Sequence, residues 1–130
     1  GAGLQVKLIN NYMAMVNHAL TGEVIAMAEK AGLETSTVVD VLSTTSAGRG
    51  QLLTNFPKKV LAGDSSPDFP IHMAIKDLSV AIDLVGTDGR FGQLAKTVFE
   101  QASAAGFGRH DATCVLNFQR GLPPVREEMK

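Results

Sequence analysis

Residues 1–20 read GAGLQVKLINNYMAMVNHAL. Apolar side chains recur there at three- and four-residue spacing: Leu4, Leu8, Tyr12, Met15 and Ala19 form one row, and Val6, Ile9, Met13, Val16 and Leu20 fill the rest, with Val24 beyond. The period predicts one long helix over 3–31, stopped by Gly32, which can adopt the left-handed conformation. The apolar rows cover nearly the whole circumference, and a helix of that kind is expected to be buried by other helices. Set among them are Lys7, Asn10, Asn11, Asn17 and His18. Lys7 and Asn11 are four apart and project from one face, one turn from each other, with His18 roughly on the same side three turns on.

Two readings of Lys7 follow from the same spacing. In one, its stem lies along apolar surface and its ammonium reaches water at the helix end, which is commonplace for lysine. In the other, the apolar surround desolvates the amine and lowers its pKa toward a range where it exchanges protons at neutral pH. An amide one turn away would then hold a hydroxyl or carbonyl in line with it. Spacing alone does not choose.

The rest of the chain reads as further helices. Thr35 or Ser36 is an N-cap candidate for a short helix through Val38, Val39 and Leu42. STTSAGRG (43–50) reads as a loop, Gln51–Phe56 as a helical segment ended by Pro57, and KKVLAGDSSPDFP as a polar connection. From Ile71 to about Thr87 the helical pattern returns, with Ile71, Ala74, Ile75, Leu78, Ala81, Ile82 and Val85 on one face. GTDGRFG breaks it. Two more amphipathic helices, Gln93–Ala105 and Asp111–Arg120, are separated by AGFGRH, and the tail GLPPVREEMK is expected to be mobile at its tip. No stretch alternates as a strand would. The expected architecture is all-α, a helical bundle around one long N-terminal helix.

Composition narrows the function. At 130 residues the chain is one domain by size, with 45% hydrophobic and 19% charged residues. A net charge of −1 gives no footprint for nucleic acid or an anionic membrane. Apolar runs are broken too often for a membrane span. The single Cys114 excludes an internal disulfide and makes a reducing, cytosol-like compartment the default. No cluster has metal-ligand spacing. GAG at the start is not a dinucleotide fingerprint: no strand precedes it, and Val6 stands where a third small residue is needed. These glycines suit close packing at a helix start. Gly1 in place of a methionine leaves three origins open: a cloning choice, a processed precursor, or a piece of a longer chain.

The helix IHMAIKDLSVAIDLV carries a second polar group, the stripe His72, Lys76, Ser79 and Asp83 opposite its apolar face. By periodicity alone this is an ordinary solvated face. Taken together, however, Gly1-Ala2-Gly3-Leu4-Gln5-Val6-Lys7-Leu8-Ile9-Asn10-Asn11 resembles the GxGxxxKxxNN signature of the β-hydroxyacid dehydrogenases, and Lys76-Asp77-Leu78-Ser79-Val80-Ala81-Ile82-Asp83 is similar to that family's KDLxxAxD segment. The resemblance extends over essentially the whole chain.

What the resemblance implies is specific. The chain looks like the helical C-terminal domain of a two-domain dehydrogenase, begun at the domain junction, with an N-terminal Rossmann domain for NAD or NADP absent from it. Lys7 would be the general acid/base, Asn11 would orient the substrate, and Lys76 would lie at the cofactor. Asp83 would support Lys76 or its helix. Asn10 stands where 6-phosphogluconate dehydrogenases usually have histidine, and Lys7 is kept where imine reductases generally replace it, so the implied substrate is a small β-hydroxyacid or its semialdehyde. Asp68-Phe69-Pro70-Ile71-His72-Met73 departs from the glycine-rich form common in 3-hydroxyisobutyrate dehydrogenases, which speaks against assigning that one substrate. The implied partners are the chain's own Rossmann domain and further copies in a homo-oligomer, some sharing α-helical cover for helix 3–31. The competing reading is a helical dimerisation module without chemistry of its own.

Overall fold

The computed structural model describes residues 1–85 and 89–126, with the side chain of Val85 left out. Every element in it is helical, and the backbone has no strand among the described residues, only an isolated bridge between Pro70 and Asp111. The fold is all-α. By its internal packing the chain divides into two compact units, Gly1–Asp40 and Val41–Lys130.

The first unit is dominated by α1, Ala2–Lys30, an unbroken helix of 29 residues. Its end is a Schellman motif. Gly32 takes φ 87°, its N–H donates to Glu29 O, and Leu33 N–H donates to Ala28 O, both at 3.0 Å. α2 follows over Thr35–Leu42. Thr35 is its first residue rather than its cap. The Thr35 hydroxyl reaches back to the Glu29 carboxylate, and the first helical bond runs from Val38 N–H to Glu34 O at 3.1 Å.

The cover expected for this helix does not come from the described residues of this chain. No residue of α1 is buried by the chain, and Leu8, Ile9 and Tyr12 are 59%, 68% and 74% exposed. The apolar circumference is real, but the described residues do not cover it.

The second unit holds the core. The predicted loop at 43–50 contains a four-residue helix, α3 (Ser46–Arg49), where Thr45 caps by accepting from Gly48 N–H. α4 (Asn55–Lys58) includes Pro57 in its first turn, where its missing N–H has no intrahelical acceptor to lose. The supposed polar connection contains a 3-10 turn, Val60–Ala62, with Val60 buried. α5 (Ile71–Val85) and α6 (Arg90–Ala102) are the principal packed pair. The expected run of α5 to Thr87 lies outside the described residues, as does the EEMK tip. After α6 a π-helical segment, Ser103–Phe107, bends at Gly106, then a 3-10 turn (Ala112–Cys114) leads into α7 (Val115–Gln119).

Val60, Ile71, Ala102, Phe107 and Cys114 form the buried cluster, with Phe56, Ile75, Phe99, Leu116 and Phe118 against it. Full burial of Ile71 and Phe107 contributes about 1.5–3 kcal/mol each. Phe107 meets Phe118 and His110 edge-on, at ring separations of 6.3 and 5.7 Å.

Candidate functional site

The first unit holds the two residues singled out in the sequence. Lys7 and Asn11 lie one turn apart on the uninterrupted backbone of α1. Asn11 Oδ1 accepts from Asn10 Nδ2 at 3.4 Å, a long contact that leaves its amide available, and the His18 ring is engaged with Ala14 O at 2.7 Å. His18 is thus tied to its own helix. Lys7 is exposed, as are Leu4, Leu8 and the other apolar neighbours expected to desolvate it. Burial within this chain therefore does not desolvate its amine. What α1 offers is an exposed amine and an exposed amide one helical repeat apart.

In the second unit Lys76 projects from α5 and is exposed, like His72 and Asp83. Ser79 instead turns its hydroxyl onto Ile75 O at 2.8 Å. Among the described residues Lys76 and Asp83 form no ion pair; two turns of helix separate them, about 10 Å along the axis. The described residues contain no strand–turn–helix on which a dinucleotide pyrophosphate would rest. What the described residues hold out to such a cofactor is limited to exposed side-chain donors, Lys76 among them.

The most developed polar constellation was not expected from the sequence. Asp111, 4% exposed, accepts four hydrogen bonds. Its Oδ1 takes the N–H groups of Asp68 and Phe69 at 3.0 and 3.1 Å; its Oδ2 takes Thr113 N–H at 3.1 Å and the Thr113 hydroxyl at 2.7 Å. Burial pushes its carboxyl up, but the Thr113 hydroxyl and the three backbone donors together outweigh it and hold the group below the usual carboxylate range. Nearby, Lys59 is equally withdrawn and donates to Asp64 at 3.0 Å and Ser66 at 3.1 Å, with Asp68 at 3.6 Å. The one local clue was Asp111-Ala112-Thr113, a side-chain cap spacing: the carboxylate does cap the 3-10 turn. Its other donors, 42 and 43 residues earlier, left no periodic trace. Phe56, Phe69 and Phe99 join Lys59 and Asp111 in lining a cavity of about 580 Å³, whose charged groups already have partners within the fold. No three His, Cys, Asp or Glu side chains come together as a metal site among the described residues, and no helix there is long and apolar enough to cross a membrane.

Over most of its length the chain is similar to known proteins. Residues 1–118 match the family described as "NAD-binding of NADP-dependent 3-hydroxyisobutyrate dehydrogenase". The 3-sulfolactaldehyde reductase of Escherichia coli K12 is 42% identical over 119 residues, 89% of this chain and 40% of that protein. An L-threonate dehydrogenase of Haemophilus influenzae is 30% identical over 125 residues, 94% of this chain and 41% of that protein. The 2-(hydroxymethyl)glutarate dehydrogenase of Eubacterium barkeri is 28% identical over 120 residues, 89% of this chain and 40% of that protein. The chain thus spans about two fifths of the length of these curated relatives. With the family matched over residues 1–118, the chain belongs to the β-hydroxyacid dehydrogenase family.

Proposed function

We propose that this chain is the helical, substrate-side C-terminal domain of an NAD(P)-dependent oxidoreductase that interconverts a small β-hydroxyacid and its semialdehyde. The observation that carries the reading is the Lys7–Asn11 pair, held one turn apart on α1 inside the segment the family model matches. NAD or NADP, once bound, would supply or take up the hydride at the substrate's carbonyl or carbinol carbon. Lys7 Nζ gives a proton to the carbonyl oxygen as negative charge develops there; in the oxidising direction it takes the hydroxyl proton. The Asn11 amide holds the same oxygen or a neighbouring hydroxyl in line with Lys7. Lys76 contributes a donor toward the nicotinamide end of the cofactor.

Lys7 needs a drier setting than α1 has by itself. We assign that cover to the protein's own Rossmann domain and to further copies of the chain in a homo-oligomer, which also accounts for the exposed apolar rows of α1. The chain alone is then inactive, and the whole protein is a cytoplasmic enzyme. The alternative, an assembly module without chemistry, is favoured by those same exposed rows. It does not explain an ammonium and an amide kept together within them.

The test is turnover. The full-length protein, given NADH or NADPH, should reduce a small acidic aldehyde such as 3-sulfolactaldehyde, or with NAD or NADP oxidise L-threonate or 3-hydroxyisobutyrate. Turnover of none of these with either nucleotide would favour the assembly module.

A further inference from the structure

The loop that leads into α5 is held in an unusual way, and the proposed chemistry makes no use of it. The first two N–H groups of α5 donate to main-chain carbonyls from the far end of the unit: Ile71 to His110 and His72 to Gly108, both at 2.9 Å. Immediately after those carbonyls comes Asp111, whose carboxylate takes the N–H groups of Asp68 and Phe69, just ahead of Pro70. Asp111 N–H donates to Ser65 O at 3.0 Å and Ala112 N–H to Phe69 O at 2.7 Å. The entry to α5 is therefore gripped on both sides by residues 108–112. Thr113 fixes the carboxylate from behind, and its hydroxyl in turn accepts from Val60 N–H at 3.3 Å. Ile71, with no exposed surface, anchors the same turn in the core.

A carboxylate is chemically required here. Four donors converge on it, and an ionised carboxylate is acceptor-only. Asparagine has the same shape but one acceptor oxygen, so its NH₂ would face two N–H or O–H donors. Lys76 stands five residues after Ile71 on the same helix, about 7.5 Å along the axis. α5 runs unbroken from Ile71 to Val85, so a tilt or rotation of the helix at its anchored first turn carries Lys76, in the second turn, with it.

We propose that Asp111 is a positioning residue of the oxidoreductase: by fixing the first turn of α5 it sets where Lys76 presents its ammonium to the nicotinamide cofactor. The proposal rests on the cofactor role given to Lys76 above. Asp111 touches neither substrate nor cofactor and acts through α5 alone.

The experiment uses the full-length protein with Asp111→Asn, Lys76→Ala and the double variant. Hydrogen exchange without nucleotide should accelerate over residues 68–76 and stay unchanged over α6. The KM for NADH or NADPH should rise on the order of tenfold with kcat at saturating nucleotide little altered, as expected when binding shared equally by ground and transition states is weakened. The double variant should have the KM of Lys76→Ala, because both changes remove one interaction. Multiplying effects, an unchanged nucleotide KM in Asp111→Asn, or faster exchange throughout the second unit would overturn the proposal and leave Asp111 a structural cap. If Asp111→Asn does not fold, Thr113→Val, which removes one of the four donors, should move exchange and KM the same way by less; no movement overturns the proposal equally. A wild-type protein without nucleotide turnover, or a Lys76→Ala protein with normal KM, would instead overturn the functional reading and take this proposal with it.

Discussion

Lys59 Nζ donates to Asp64 Oδ2 at 3.0 Å, although only 7% of Lys59 is exposed. The pair closes the turn between the buried Val60 and the loop that enters α5. The Ser66 hydroxyl, then the Lys59 ammonium, then Ser66 N–H hold the Asp64 carboxyl down at about 2, against an ordinary 3.8. Lys59 moves the opposite way, above 10.5, chiefly through its hydrogen bond to Asp64.

These shifts fix a pH profile. Between 3.8 and about 2 the unfolded chain binds more protons at Asp64 than the folded one, so the stability this group supplies is present above 3.8 and is lost as pH falls toward 2. Asp111, also held low, adds to the same acid loss. The contribution of Lys59 is complete below 10.5 and is lost as pH rises through its higher folded value. Urea midpoints measured from pH 7 to pH 2 should fall steepest below pH 4, and Asp64→Asn should flatten that limb. An unchanged slope in the variant would show that Asp64 does not carry the acid loss.

Gly106 should not tolerate a side chain. Its φ is 103°, and an added Cβ would lie 2.8 Å from Pro124 Cγ. Gly106→Ala is expected to destabilise by about 1–3 kcal/mol from backbone strain, plus the clash. Adding Pro124→Ala should recover only the clash, which thermal melts of the single and double variants can separate.

Cys114, 1% exposed, should be chemically silent in the folded protein. Burial pushes its thiol up, and the negative charges of Asp111 and Asp64 push it further. A thiol-reactive dye should label it only as the protein unfolds, with the urea dependence of labelling following the unfolding curve. Fast labelling in native buffer would contradict the packing around Phe107.

Much of this was legible in the residues, and the failures have identifiable causes. α1 and α5 announce themselves because apolar rows persist over many turns; α5 begins at Ile71, as the period requires. α3 is missed because four residues, Ser-Ala-Gly-Arg, are too few to show a period. Lys59 reads as part of a solvated connection because its partners Asp64, Ser66 and Asp68 follow a turn rather than a helical repeat. Asp111 is the hardest, since its carboxylate is completed by amides on a distant loop. The Lys7–Asn11 pair was visible at once, being four residues apart on one helix. Its dryness could not be read from spacing, because apolar neighbours bury a lysine only when they are themselves covered, and within this chain they are exposed.

Lys7 is exposed on α1 within this chain. In the chain by itself Lys7→Ala should therefore shift the unfolding free energy by less than about 0.5 kcal/mol, as for exposed sites without special geometry. A large drop in melting temperature would mean that Lys7 has a structural partner within the chain.

The most direct test of the account is the steady-state rate of nucleotide-dependent turnover by the full-length protein, wild type against Lys7→Ala. A general acid/base at Lys7 predicts a loss of about 10²- to 10⁴-fold in kcat with the nucleotide KM retained. Turnover by Lys7→Ala equal to wild type would contradict it and leave Lys7 an ordinary lysine on an assembly helix.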